Sequence, residues 1–406
     1  MNGTASEQAD VLIVGGGLVG LSLAVALGTA GVATIVVDRQ DPAAMLDQGF
    51  DGRVSALAWA NWRMLDSIGV WPLLSEAAPI LDIRVSDGPS MLFLHYDHRA
   101  LGNDPFGYMV ENRLHRQALY RRLEALETVR LLAPAGLADL QRNAADVEAR
   151  LDDGRRLKAR LAVAADGPNS ALRHDAGIRS VGWAYEQTGI VCTVRHARPH
   201  LGVAQERFLP AGPFAILPMT GNRSSLVWTE RADLAPALLQ APEAAFMEEL
   251  TDRFGDYLGE LEVVGPRFGY PLTLGLAERY VDRRLALIGD AAHRVHPIAG
   301  QGLNLGLRDV AALAEVIVDR LRLGLDPGDT VALARYQRWR RFDSLLMAAV
   351  TDSLNRLFSN NIAPVRMARD LGLAAVNKID PLKRLFIRHA RGSVGDLPRL
   401  LAGEPL

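Results

Sequence analysis

Most of the chain mixes apolar and polar positions, but residues 11–37 form an uninterrupted run of 27 without a charged side chain. A hydropathy window reads such a run as a membrane-spanning helix. Two features argue against that: six of the 27 are glycine, and the ten residues before it hold Glu7 and Asp10 but no Lys or Arg, so a signal peptide's basic flank is missing. The run divides better into three pieces. Residues 11–14 are an apolar run suited to a buried parallel strand, 18–29 a helix of small residues, and 34–37 a second apolar strand ending at Asp38. Gly15, Gly17 and Gly20 fill G-x-G-x-x-G between strand and helix, where they give a tight turn, close backbone approach to a pyrophosphate and close helix packing. The helix N-terminus would then face phosphates with free N–H groups, and Asp38 sits where an acid accepts hydrogen bonds from a ribose. This pattern predicts a dinucleotide, without distinguishing FAD from NAD.

Two later strand-to-loop transitions extend the pattern. LAVAADGPNSALR (161–173) runs a strand into Asp166 and Gly167, then into a polar turn that Asp166 can cap. RLALIGDAAHRVHPIAGQGLNLGLRDV (284–310) runs a strand into Gly289 and Asp290, and PIAGQG (297–302) leads into a helix begun by Leu303 and Asn304. A second glycine-rich loop before a helix means a second anion site, and one dinucleotide with two such contacts suits FAD.

Composition narrows the class. At 406 residues, 49% hydrophobic and 23% charged, the chain is a folded protein of two or three cores. A net charge of −2 leaves no global field for nucleic acid. The basic residues are 42 Arg and only Lys158, Lys378 and Lys383, a bias we attribute to genome composition. A lone cysteine, Cys192, in the apolar segment TGIVCTV excludes an internal disulfide and any Cys-rich metal site; it reads as a packed thiol in a reducing compartment.

The three motifs in this order resemble the GxGxxG, DG and GD motifs of flavin aromatic hydroxylases with the p-hydroxybenzoate-hydroxylase fold. More narrowly, GDAAHRVHPIAGQGLNLGLRDV, DGRVSAL (51–57), GYMVENRLHRQAL (107–119) and ERFLPAGPFAILPM…SLVW (206–228) resemble the ubiquinone-biosynthesis hydroxylases of the UbiH/UbiF type. The resemblance implies an α/β fold: a Rossmann-like FAD-binding domain, an interleaved antiparallel substrate sheet and C-terminal helices. The expected FAD domain is discontinuous (1–80, 105–178, 278–330), the substrate domain spans 81–104 and 179–277, and a C-terminal helical region follows at 331–406. It also implies that Gly15, Gly17, Gly20 and Asp38 hold the ADP half of FAD, with Asp38 standing where the family more often has Glu. Arg53, Arg113 and Gln117 would contact the pyrophosphate and ribityl chain, Asp166 would serve the DG motif, and Gly289 and Asp290 the ribityl hydroxyls. Backbone N–H groups of Gly302, Leu303 and Asn304 would stabilise negative charge on the flavin ring.

The reaction so implied is reduction of FAD by NADPH or NADH, formation of a C4a-hydroperoxide from O2, and insertion of one oxygen atom into a polyprenylated phenol. Pro297 and Gly300 would shape the wall beside the reactive carbon, and His296 would lie on the substrate side. His293 reads as a strand-end residue bonded to backbone, and Arg308 and Asp309 as salt-bridge partners. Phe208, Phe214, Leu217, Pro218, Met219 and Trp228 are candidates for an apolar wall facing the ring, or for sheet core. Two alternatives remain open: hydroxylation of a small soluble aromatic, and a non-catalytic flavin-bearing subunit of the biosynthetic complex.

Residues 331–406 hold 13 Lys/Arg against 6 Asp/Glu, so the near-zero net charge averages a basic tail and an acidic body. PLKRLFIRHAR (381–391) alternates basic and apolar residues at helical spacing, with Leu382, Leu385 and Phe386 on one face. A polyprenyl tail does not partition into water, so the expectation is a cytoplasmic protein peripheral to the inner face of a bacterial membrane, or bound to a biosynthetic complex, through this region.

Overall fold

The computed structural model describes residues 6–46, 49–88, 90, 93–100, 102–296, 298–359, 369 and 379–406, with the side chains of 299, 380, 382 and 385 left aside. Its first sheet is parallel at the centre. Strand Glu7–Val14 lies between Arg156–Ala164 and Thr34–Val37, with Leu285–Leu287 and Val129–Leu132 outside them, all four neighbours running parallel. An antiparallel hairpin, Leu137–Arg142 with Val147–Leu151, extends Arg156–Ala164. Register aligns Val14 with both Val37 and Ala164, and Ala164 with Leu287. The three motifs therefore leave the sheet side by side at its carboxyl edge, the position where open α/β sheets bind ligands.

The apolar run is explained by burial rather than by lipid. Helix Leu18–Thr29 is buried from Gly20 to Gly28, because it lies between the sheet and helices Asn112–Glu124 and Gln301–Arg322. A helix enclosed on all sides needs no polar face. Among the described residues no helix is long and apolar enough to cross a membrane.

The second sheet has eight strands in the order His293–Arg294, Leu261–Ala277, Ser180–His196, Arg223–Arg231, Gly212–Met219, Val203–Leu209, Asp82–Asp87 and Phe93–Asp97. It is not wholly antiparallel: the hairpin Asp82–Asp87/Phe93–Asp97 joins through a parallel pairing with Val203–Leu209. One strand escapes sequence reading. Leu261–Ala277 contains Pro266, Pro271 and three glycines, which argue against a long strand, yet it pairs with Ser180–His196 across register shifts that absorb them. A small third sheet, Val54–Ala58, Gly107–Glu111 and Ala78–Ile80, lies between the two large ones.

The tail does not stand apart. Leu400 and Leu401 are buried in the main core, and Arg399 ties to Glu315 and Asp319 on helix Gln301–Arg322. Helix Thr330–Phe358, capped by the Asp329 carboxylate on the Ala332 N–H (2.7 Å), reaches from the first sheet to the second.

Candidate active site

Glycines bring the carboxyl-edge loops into contact. A Cβ on Gly15 (φ +109°) would lie 2.2 Å from the Ala165 carbonyl oxygen, and one on Gly20 would lie 2.0 Å from that of Gly15. Side chains there would force the GxGxxG turn away from the DG strand. Gly289 (φ +58°) and Gly306 both pack on Val19, which locks the GD motif and helix Gln301–Arg322 onto the first helix. Gly17 has a different reason. Its Cβ would meet nothing within 4 Å, and it begins helix Leu18–Thr29 with no capping side chain and no acid in the first turn. The orphan N–H groups of that helix therefore face open space.

The carboxylates of the motifs are placed unequally. Asp38 Oδ2 accepts the Gly16 N–H and Oδ1 accepts that of Gln40 (2.6 Å), so it braces the glycine loop while remaining beside it. Asp166 Oδ2 accepts from Ala171 (2.9 Å) and Leu172 (3.4 Å), while Ser170 Oγ caps Arg173 (3.1 Å). The Asp166 Oδ1 is buried with no partner among the described residues. Asp290 is exposed at the loop, and desolvation by the surrounding protein holds its carboxyl above the usual range against the opposing pull of His293 and Arg294. The small sheet pairs Val54 with Glu111 and so carries Arg53 and Arg113 to the same end. Arg53 pairs with Asp51 (2.7 Å); Arg113 pairs with Glu111 (2.7 Å), which also holds Arg223 (3.3 Å). Gln117 is half-buried on helix Asn112–Glu124.

The second loop departs from expectation in three ways. Gly300 is needed first for its backbone: it is left-handed (φ +63°) and its Cβ would crowd Ala56 at 3.2 Å, whereas open space lies at Gly302. Asn304 is more than a backbone donor. Its buried side chain accepts from the Ala58 N–H (2.9 Å) and Asn61 Nδ2 (2.6 Å) and donates to the carbonyls of Ala56 (2.7 Å) and Gly300 (3.1 Å). It thus staples the small sheet beneath the loop, with Leu303 half-buried beside it. His293 is bonded not to backbone but to the Asp309 carboxylate (2.5 Å). Pro297 lies outside the described residues.

Asp309 is the node behind the site. Fully buried, it accepts from Gly289 N–H (2.9 Å), His293 Nε2 and Arg340 Nε (2.8 Å). Burial opposes its ionisation, yet His293 and Arg340 outweigh burial and hold its pKa below the usual carboxylate range. Arg308 pairs with Asp343 (3.3 Å), which also pairs with Arg340 (2.6 Å). Sequence reading anticipates the pairing of Arg308 and Asp309 but not its role, because Arg340 lies 31 residues from Asp309 on another helix.

His296 is buried with neither ring nitrogen bonded among the described residues, its ring edge-on to Tyr185 at 5.1 Å, and the Tyr185 hydroxyl donates to Asp352 (2.8 Å). Burial pushes His296 down to about 4, so it is neutral at physiological pH. The aromatic wall divides by strand parity. Phe214 and Trp228, with Cys192, pack beneath helix Glu243–Phe254 on the outer face of the second sheet, and Pro218 shares their parity. Burial there raises the Cys192 thiol to about 12. Phe208, Leu217 and Met219 are on the inner face, turned toward the small sheet.

Two uncapped helix N-termini, open space at Gly17 and Gly302, an Asp166 oxygen without a partner among the described residues and the exposed Asp290 fit a cofactor with a pyrophosphate and a hydroxylated chain. Gly17→Ala is expected to change folding stability by less than about 1 kcal/mol, because its Cβ meets no protein atom. It is expected to weaken FAD binding about tenfold or more, because the methyl enters the space the pyrophosphate needs. Thermal unfolding of the apoprotein and flavin titration read the two separately.

Comparison with known proteins agrees with this geometry. Residues 8–341 match the FAD binding domain family. The chain is 58% identical to the ubiquinone hydroxylase UbiL of Rhodospirillum rubrum, over 100% of this chain and 95% of that protein. It is 35% identical to the 3-demethoxyubiquinol 3-hydroxylase of Escherichia coli, covering 95% of this chain and 99% of that one. Among solved structures, p-nitrophenol 4-monooxygenase PnpA from Pseudomonas putida shares the fold, with TM-score 0.79 and 21% identity over 96% of this chain and 100% of that chain. The nucleotide cradle, the sheet order and these likenesses together make the chain a member of the FAD-dependent monooxygenases, in the UbiH/UbiL family of ubiquinone biosynthesis with the p-hydroxybenzoate-hydroxylase fold.

Proposed function

We propose that the protein hydroxylates the aromatic ring of a polyprenylated phenol in ubiquinone biosynthesis, drawing electrons from NADPH or NADH. The observation that carries this reading is the end-to-end 58% identity with UbiL. FAD, when bound, supplies the redox chemistry and the activation of O2. The protein's own residues bind and aim. Gly15, Gly17 and Gly20 admit the pyrophosphate to the first helix N-terminus, with Asp38 at the ribose. Arg53 and Arg113 balance the phosphate charge, with Gln117 beside the ribityl chain. Asp166, Gly289 and Asp290 take hydroxyls, and the N–H groups of Gly302, Leu303 and Asn304 face the ring.

His296 acts as a neutral hydrogen-bonding group on the substrate side, supported by its two unbonded nitrogens and its depressed pKa. Pro297 and Gly300 shape the adjacent wall. With 18O2 and a short-chain prenylated phenol, one labelled oxygen per ring is expected in the product, the second leaving as water, with one NAD(P)H consumed. His296→Ala is expected to slow hydroxylation about tenfold or more while flavin reduction stays unchanged in rapid-mixing traces. Unlabelled product contradicts the reading, and equal slowing of both steps removes His296 from it.

The substrate's tail calls for a lipid surface, and helix Thr330–Phe358 offers one. Phe342, Leu345, Leu346, Val350 and Leu357 are exposed along one face at spacings of three, four and seven, with Arg338 and Arg341 exposed beside them. Trp183 under Arg356 and exposed Val181 continue the apolar surface. Helix Asp380–Ala390 adds exposed Phe386, Arg384 and Arg388. The basic surplus of residues 331–406 favours anionic headgroups and supports a reading in which the protein works against the inner face of a bacterial membrane. Phe342→Ser with Leu346→Ser is expected to reduce sedimentation with anionic vesicles severalfold without changing FAD content; unchanged sedimentation sinks this surface.

A further inference from the structure

One carboxyl on the inner face of the second sheet has no partner among the described residues. Strand Val203–Leu209 alternates its side chains between two faces. Arg207 belongs to the outer face, where it donates to the carbonyls of Arg253 (2.8 Å) and Phe254 (3.3 Å) at the end of helix Glu243–Phe254. Ala204, Glu206 and Phe208 therefore share the inner face. Ala204 belongs to the apolar cluster against which Val54 and Ala56 pack, and Phe208 stacks on Phe358 with centroids 4.1 Å apart. Ala56 is the residue beneath Gly300, so this face looks toward the glycine loop of the second motif.

Directly beside Glu206 in register stand Ala215 and Val85, and beyond them Val227 and Leu94. The carboxyl thus interrupts an apolar row. Desolvation by the surrounding protein raises its pKa to about 7, and the residue is half-buried rather than sealed in the core. No hydrogen bond or ion pair to Glu206 exists among the described residues. The charged groups facing it are few. Strand Asp82–Asp87 contributes Asp87, opposite Phe208, which is paired with Arg369 (2.8 Å) over the Phe358 ring, and strand Gly212–Met219 contributes only Pro213, Ala215 and Leu217. The same face of strand Arg223–Arg231 carries the uncharged Ser225, Val227 and Thr229 with a cation at each end, Arg223 paired with Glu111 (3.3 Å) of the small sheet and Arg231 paired with Asp233 (2.6 Å), and strand Phe93–Asp97 adds the buried Tyr96.

Burying a polar group without a partner is unfavourable, and a single polar group in an apolar chamber is how binding sites orient a ligand. Resting on the hydroxylase reading above, we propose that Glu206 accepts a hydrogen bond from the ring hydroxyl of the phenolic substrate and so fixes which ring edge meets the flavin. The polyprenyl chain would then run along the apolar positions of the same face.

The test compares a short-chain prenylated phenol with its methyl ether, which lacks the donor, by flavin absorbance titration of the FAD-loaded protein. At pH 8.5, with Glu206 ionised, the wild type is expected to prefer the phenol about tenfold or more. At pH 6 the carboxyl carries its own proton and donates to either oxygen, so the preference shrinks. In Glu206→Gln and Glu206→Leu the pH dependence is expected to vanish, while ether affinity at pH 8.5, where the wild-type carboxylate has no proton to donate, stays within about twofold of wild type; Leu suits the apolar row, so the fold does not need the carboxyl. Retention of the preference and its pH dependence in both variants overturns the assignment to Glu206 alone. Failure of the wild type to bind either ligand overturns the hydroxylase reading and the assignment with it.

Discussion

A carboxylate taken wholly out of water must be compensated, and around Asp309 that compensation joins three parts of the molecule. Its oxygens hold the Gly289 N–H of the GD motif, the His293 ring at the start of the second loop, and Arg340 of the long C-terminal helix. Buried pairs add little stability compared with apolar packing, but removing one partner typically costs about 3–5 kcal/mol, because the others are left charged or unsatisfied. The node therefore acts as a register device. It fixes where the cofactor loop sits relative to the helix that spans toward the substrate sheet.

Around this node glycine contacts set the remaining distances. Gly15 and Gly20 bring the first turn against the DG strand, and Gly289 and Gly306 close on Val19, so the motifs meet although they are separated by more than a hundred residues along the chain. Asn304 then ties the small sheet beneath the second loop, which aligns Arg53 and Arg113 at one end. Cofactor contacts thus depend on protein–protein contacts that themselves touch no cofactor.

The first βαβ unit was legible because its signals are local: apolar runs of strand length, glycines at fixed offsets and an acid at a strand end. The three motifs are of the same kind. What sequence reading misses is set across the chain. The partner of His293 is 16 residues away, and the side-chain role of Asn304 depends on Ala56 and Asn61, some 240 residues earlier. Strand Leu261–Ala277 hides behind its prolines and glycines, and the aromatic candidates divide only once strand parity is known. The charge pattern marks the tail off as a basic region, yet Leu400 and Leu401 belong to the main core.

The cofactor edge, the Asp309 node and the inner face of the second sheet describe one machine for adding a hydroxyl to a lipid-borne ring. The most direct measurement is mass-spectrometric profiling of quinone intermediates in cells lacking this protein. Accumulation of a prenylated ring short of one hydroxyl, with loss of ubiquinone, is the predicted result, and complementation restores both. Normal ubiquinone with no accumulating prenylated intermediate would contradict it.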